Sequence, residues 1–275
     1  MAKKTLLPVT SDFIFKLIFG DQRNVDILAA FLRAVLDIPD EEYGRLVIVD
    51  PHIKKESLDD KYGILDVKIH TVSGGVIHVE IQNRILADMK ARTIYSHSKL
   101  VTEQLSFGMN WSGIKRTITI VISSGVFMPE GDMYHHQFRY RTEDGIEFTD
   151  LSEINTLDLS KHPPDDDSTD LWFWMKFIKT DDEEAMDMLA TRSPQLRKAV
   201  GVLKELSADE QTRMLYEKRE MARRDLESQL EERDAVIAEK DAALANNAAA
   251  LAEKDAALAD NAAEIARLRA ILGNK

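Results

Sequence analysis

Residues 64–82 read ILDVKIHTVSGGVIHVEIQ, two runs rich in β-branched residues (64–72 and 76–82) separated by Ser73-Gly74-Gly75. Valine and isoleucine fit a pleated, half-buried surface and the glycines supply the turn, so the stretch predicts a β-hairpin. Side chains alternate along a strand, which puts Glu80 and Gln82 on one face, and Asp66, Lys68 and His70 likewise together. Whether the two sets share a face depends on the turn. A three-residue loop, 73–75, pairs Val72 with Val76, Asp66 with Gln82, Lys68 with Glu80 and His70 with His78, leaving Asp66 and Glu80 diagonal neighbours at roughly 5–8 Å. A two-residue Gly74-Gly75 turn sends the two acids to opposite faces, because a one-residue slip flips every side chain.

With the odd loop, two carboxylates grip one divalent cation. Hard oxygen ligands favour Mg²⁺ or Mn²⁺, with the Ile81 carbonyl as a third protein ligand. The competing reading of any strand carboxylate is a solvated one on an exposed face. His70 and His78, opposed in the same register, read as a surface pair, because no third histidine at a suitable spacing supports zinc.

Working outward, residues 11–37 place apolar side chains at helical spacing with a break at Gly20-Asp21. This predicts two consecutive helices, the first capped by Ser11 or Asp12, the second near 24–36 and stopped by Ile38-Pro39. LVIVDPHI (46–53) reads as a short strand and KKESLDDKYG (54–63) as a polar loop. From Arg84 to about Phe107 the spacing is helical again, through Ile85, Met89, Thr93, Ser96 and Leu100. KRTITIVISSGVF (115–127) predicts a mostly buried strand, and 134–148 a second hairpin turning at Glu143-Asp144-Gly145. After the polar loop KHPPDDDSTD, LWFWMKFIKT opens a helical region that runs past Ser193-Pro194. The order of elements predicts a mixed α/β domain, a central sheet flanked by helices.

From about Asp209 the composition changes. No glycine or proline occurs until Gly273, and 238–251, AEKDAALANNAAAL, recurs as 252–265, AEKDAALADNAAEI. Leu230, Ile237, Leu244, Leu251, Leu258, Ile265 and Leu272 fall seven residues apart, keeping one stripe on one side of a helix. The second seam position is weak, held by Asp241, Ala248, Asp255 and Ala262 or, in the other register, by Lys240, Asn247, Lys254 and Asn261. The expectation is a long helix, about 95 Å at about 1.5 Å per residue, with weak or conditional self-association. Three segments follow: 1–160 as the core, 161–208 as a helical extension and 209–275 as the heptad helix.

The 275 residues, 44% hydrophobic, are long enough to bury a full core, and the lack of cysteine excludes disulfides, thiolate metal sites and a cysteine nucleophile. With 36 basic against 48 acidic residues, the net charge of −12 opposes indiscriminate binding to phosphate backbones or anionic membranes. A nucleic-acid role therefore needs a local basic patch. No run of about 18 apolar residues reads as a membrane span and the start lacks a signal peptide's apolar region, so a soluble cytoplasmic protein is expected.

The acid-spacing pattern Asp66-x13-Glu80-x-Gln82 across a hairpin, preceded by TSDFIFKLIFG (10–20) and followed by a helix with Arg92 and Tyr95, resembles the PD-(D/E)XK nuclease superfamily. It is similar in particular to the recombination-promoting nuclease (Rpn) and transposase family, over roughly residues 5–230. KRTITIVISSGVF, LWFWMKFIK and LYEKREMARRDLESQL all have counterparts in that layout. The resemblance implies a restriction-endonuclease-like fold and metal-dependent DNA cleavage, possible roles lying in recombination or mobile elements. Asp66 and Glu80 would bind Mg²⁺ (or Mn²⁺). Where the superfamily has a lysine two residues after the acid, this chain has Gln82, which can orient water but carries no charge. Lys16 or Lys68 would then supply charge from elsewhere. Asp12 matches the acid on the first helix of such nucleases, and Lys16 lies one turn later. Arg84, Arg92 and Lys99, with Lys90, are the expected DNA contacts, all on the helix after the metal strand. The alternatives are a catalytically weakened nuclease fold that assembles partners, itself included, through its heptad helix, and a nuclease regulated by that helix.

Overall fold

The computed structural model describes residues 5–49, 67–105, 108, 110–163 and 168–273. The chain divides into two compact units, Met1–Tyr216 and Glu217–Lys275. In chain order the elements are α1 (Asp12–Phe19), α2 (Val25–Val35), β1 (Val47–Val49), β2 (Val67–His70), β3 (Val76–Gln82), α3 (Met89–Thr102), β4 (Thr117–Ser123), β5 (His135–Arg141), β6 (Glu147–Asp158), α4 (Asp170–Lys179), α5 (Glu183–Leu189), α6 (Pro194–Ala208) and α7 (Glu210–Gly273). The strands form one mixed sheet in the order β1-β2-β3-β4-β6-β5.

β3 and β4 lie parallel in the middle of that sheet, Glu80 opposite Val121 and Gln82 opposite Ser123. Both strands are covered on both faces, which is why VIHVEIQ and TITIVIS read as nearly unbroken β-branched runs. One face, carrying Ile77, Val79, Ile81, Ile118, Ile120 and Ile122, packs on α1, α2, α4 and α6 in one continuous core. Phe15, Phe19, Phe31, Trp174 and Phe177 fill it with tilted and edge-on rings 4.6–6.3 Å apart. Thr169, Asp182 and Ser193 cap α4, α5 and α6 by accepting backbone N–H groups. The other face lies under α3, with a small cluster of Met89, Val121 and Phe127.

The β2–β3 turn differs from both sequence expectations. His70 pairs with Val76 and Lys68 with His78, and the Thr71 N–H donates to the Gly75 carbonyl (3.0 Å), so the loop is Val72-Ser73-Gly74. Gly74 supplies the left-handed residue (φ 86°), while a Cβ on Gly75 would meet Thr71 Oγ1 at 3.0 Å and the Arg116 carbonyl at 3.2 Å. Gly75 is therefore glycine because the Thr71 side chain and the Arg116 backbone approach it, and not because it turns. The loop is still odd, so Lys68 and His70 share the face of His78, Glu80 and Gln82, but every partner moves by two residues. His78 is wholly buried, which corrects the reading of it as half of a surface pair.

The helix expected from Arg84 starts at Met89, after Asp88. Ile85 packs on the Met89 cluster from an irregular segment, so the apolar spacing reported a shared pocket and not an additional helical turn. The second hairpin turns where expected, the Thr142 N–H donating to the Ile146 carbonyl (2.9 Å), but β6 runs on to Asp158 and pairs in parallel with β4. α7 runs unbroken for 64 residues, with Leu244, Leu251 and Leu258 exposed.

Candidate active site

The parallel strands β3 and β4 end side by side, and the carboxyl edge of such a pair is where α/β sheets build sites. Glu80 lies one turn of the pleat before that edge, on the α3 face, and is 8% exposed. Burial pushes its carboxyl above the ordinary 4.5. The Arg92 charge and a hydrogen bond from Gln82 oppose that push without cancelling it. Glu80 is thus a carboxylate whose ionised form the protein compensates only in part, and Gln82, half-buried, is held against it.

Arg92 is half-buried on α3, which crosses the sheet on the Glu80 side. His97, one and a half turns further on, pins that helix: its Nδ1 is 2.8 Å from Thr119 Oγ1 and its Nε2 2.8 Å from Ser152 Oγ. Gln104 Nε2 donates to Thr117 Oγ1 (2.7 Å), and Lys68 pairs with Glu103 (3.4 Å). Lys68 is therefore engaged at the far end of α3, away from the strand termini. Lys90 and Lys99 are exposed on α3. Arg84 is also exposed but precedes the helix, so it does not share a helical stripe with Arg92, correcting the expectation that both ride on one helix.

Asp12 is exposed in the first turn of α1, where its Oδ1 accepts the Phe13 N–H (2.6 Å), and Lys16 is half-buried one turn on. The start of α1 is joined to the end of β3 by Asn83, whose Nδ2 donates to the Thr10 carbonyl (2.7 Å). The side chain of Ile81 faces the core, so only its carbonyl is chemically suited to a cation. Asp66 lies outside the described residues. Among the described residues, no three His, Asp or Glu side chains converge as a metal cage.

Sequence reasoning missed several neighbours of this edge. Asp158, on the same row as Gln82 and Ser123, accepts from the Phe127 N–H (3.2 Å) and the Ser160 N–H (3.0 Å), fixing the loop after β4. Neither His97 nor Asn83 belongs to a spacing motif. Their only signal is polarity next to a strand end or on a helix's inner face. Among the described residues, His78 finds no hydrogen-bond partner for either ring nitrogen, and neither does the buried Thr93 Oγ1.

A family model described as PD-(D/E)XK nuclease family transposase matches residues 9–233. No curated protein and no solved structure matches the chain.

Proposed function

Because the chain belongs to the PD-(D/E)XK nuclease family transposases, we propose that it is a metal-dependent endonuclease that hydrolyses phosphodiester bonds in DNA. The observation that carries this reading is Glu80, a buried carboxylate at the edge of two parallel strands whose charge is only partly compensated. Such a group is a ligand in want of a cation. The donor set fits a hard divalent ion, Mg²⁺ or Mn²⁺: Glu80 and Asp66 carboxylates, Asp66 standing next in sequence to Val67, which pairs with Val79 beside Glu80, and the Ile81 carbonyl. When bound, that ion lowers the pKa of a water and stabilises charge developing on the phosphate.

The protein's own groups do the rest. Gln82 orients the attacking water by hydrogen bonding, and Arg92 faces the scissile phosphate as a fixed positive charge. Asp12 and Lys16 flank the edge from α1. The net charge of −12 makes a local basic surface necessary, and Arg84, Lys90 and Lys99 supply it for the DNA backbone. No helix among the described residues is long and apolar enough to cross a membrane. The exposed leucine stripe of α7 is a conditional self-association surface. Removing residues 231–275 is expected to lower the number of protomers per particle in solution, and an unchanged number excludes the stripe as the sole oligomerisation element.

Purified protein with Mg²⁺ or Mn²⁺ is expected to nick supercoiled plasmid. Asp66→Ala and Glu80→Ala should each lose more than the roughly 10- to 100-fold that removal of an outer partner of a metal site costs. A second reading, a scaffold with the nuclease fold but weakened chemistry, draws on the neutral Gln82 where a lysine would serve. Equal nicking by wild type and both variants would assign the cleavage to a contaminant and favour that scaffold.

A further inference from the structure

We propose that Asn83 is a positioning residue that locks the start of α1, the end of β3 and the loop after β4 into one unit. The proposal rests on the nuclease reading only for its catalytic consequence. Three chain segments far apart in sequence meet at this one amide. Asn83 Nδ2 donates to the carbonyl of Thr10, 73 residues away (2.7 Å), and Asn83 Oδ1 accepts from Ser124 Oγ, 41 residues away (2.8 Å). The Ser124 N–H in turn donates to the carbonyl of Gln82 (3.0 Å), closing the circuit on the strand that carries Glu80.

Both ends of the amide are needed. A carbonyl must receive a donor and a serine hydroxyl must find an acceptor, and asparagine is the shortest side chain that offers both in fixed opposition. The Thr10 carbonyl sits two residues before Asp12, and the Ser11 and Phe15 N–H groups bond to Pro8 and Ser11 carbonyls at 3.1 and 2.8 Å, so the first turn of α1 follows wherever Thr10 is held. On the other side Gly125 packs closely on Ile85, whose Cγ1 would lie 3.2 Å from a Cβ placed there and would have to give way. The loop after β4 is thus packed against the segment following β3 as well as bonded to it. Asn83 itself is exposed and contributes nothing to the core, so its substitution leaves the packed interior intact.

Asn83→Asp keeps the acceptor for Ser124 and removes the donor to Thr10, while Asn83→Ala removes both. Hydrogen exchange is expected to rise about tenfold for residues 10–15 in both variants and for 124–126 in Asn83→Ala alone, with α6 unchanged, as loss of one net hydrogen bond predicts. In plasmid nicking with Mg²⁺, kcat should fall about tenfold in both variants while KM for DNA stays within about twofold, because misplacement of α1 affects chemistry and not backbone binding. Unchanged exchange at 10–15, or a rise spread equally over α6, overturns the proposal. If wild-type protein does not cut DNA, the nuclease reading fails, and the exchange pattern still decides the role of Asn83.

Discussion

Glu80 and Glu153 are buried glutamates in one sheet, on opposite faces, and their carboxyls are displaced in opposite directions. Glu153 lies on the core face, level with Ile118 and Ile77. Burial raises its pKa, but Asn155 (2.7 Å), Arg116 (2.7 Å) and Gln137 (2.8 Å) donate to it and Arg139 adds a second guanidinium at 2.9 Å, so the net shift is downward. Glu80, level with Val121 and Thr156, has, among the described residues, one amide and one guanidinium acting on it, and burial wins. Burial is common to both; the number of donors decides the sign. The saturated carboxylate holds strands β4, β5 and β6 together, and the unsaturated one leaves charge to be completed from outside.

The largest expected effect follows directly. Glu80→Ala should remove plasmid nicking while leaving unfolding free energy within about 1 kcal/mol of wild type, since a partly compensated buried charge stabilises little. Glu153→Ala should do the reverse, costing about 3 kcal/mol in denaturant titrations, because Arg116 and Arg139 are left facing each other beside a vacated site. Below its lowered midpoint the residual nicking should simply track the folded fraction. A variant pair in which Glu80→Ala unfolds the protein and Glu153→Ala does not would invert the comparison.

A smaller effect is carried by pH. Below the ordinary carboxylate range Glu80 is protonated folded and unfolded, and it costs nothing. As pH rises past 4.5 the unfolded chain ionises first, binds fewer protons than the folded one, and stability falls until the raised folded pKa is passed. Glu80→Gln should therefore gain on wild type across that window. Glu153 works the other way: its stabilisation is present above 4.5 and is lost as pH falls through its lowered folded pKa, so Glu153→Gln should lose acid sensitivity. At neutral pH, Mg²⁺ or Mn²⁺ should raise the thermal midpoint of wild type and not of Glu80→Gln. Equal metal shifts in both proteins would place the ion elsewhere.

The same two residues explain what the sequence could and could not disclose. β3 and β4 are legible because burial on both faces imposes an unbroken apolar run, and alternation within 76–82 by itself puts Glu80 and Gln82 on one face. The heptad helix was legible for a similar reason, a period too regular to be anything else. The second half of β6 was not, because Glu153 and Asn155 occupy core-facing positions and break the pattern that announces a buried strand. Their apolar environment is made by partners on other strands, which a local window does not contain. The β2–β3 register was missed because Gly74 and Gly75 look alike in sequence, and only the approach of Arg116 and Thr71 tells a turn glycine from a packing glycine. Asn83 and His97 escaped notice since hydrogen bonds across dozens of residues leave no spacing.

The smallest expected effect concerns His78, which stands two residues before Glu80 on the same face. It is fully buried, neither ring nitrogen has a partner among the described residues, and burial, with the Lys68 and His97 charges adding to it, pushes its pKa down to about 3. The ring is therefore neutral wherever the protein works, and it carries the desolvation of one donor and one acceptor without return. Its neighbour His97 is also buried, but both nitrogens are engaged by Thr119 and Ser152. Replacing an unsatisfied polar side chain by an apolar one of similar size removes a penalty, whereas removing a satisfied one strands its partners. His78→Leu should accordingly raise unfolding free energy by about 1 kcal/mol, and His97→Leu should lower it by about 2 kcal/mol. Destabilisation by His78→Leu would mean that its nitrogens are satisfied by buried water beneath α3, and the contrast between an open and a saturated polar group would then hold for the glutamates but fail for the histidines.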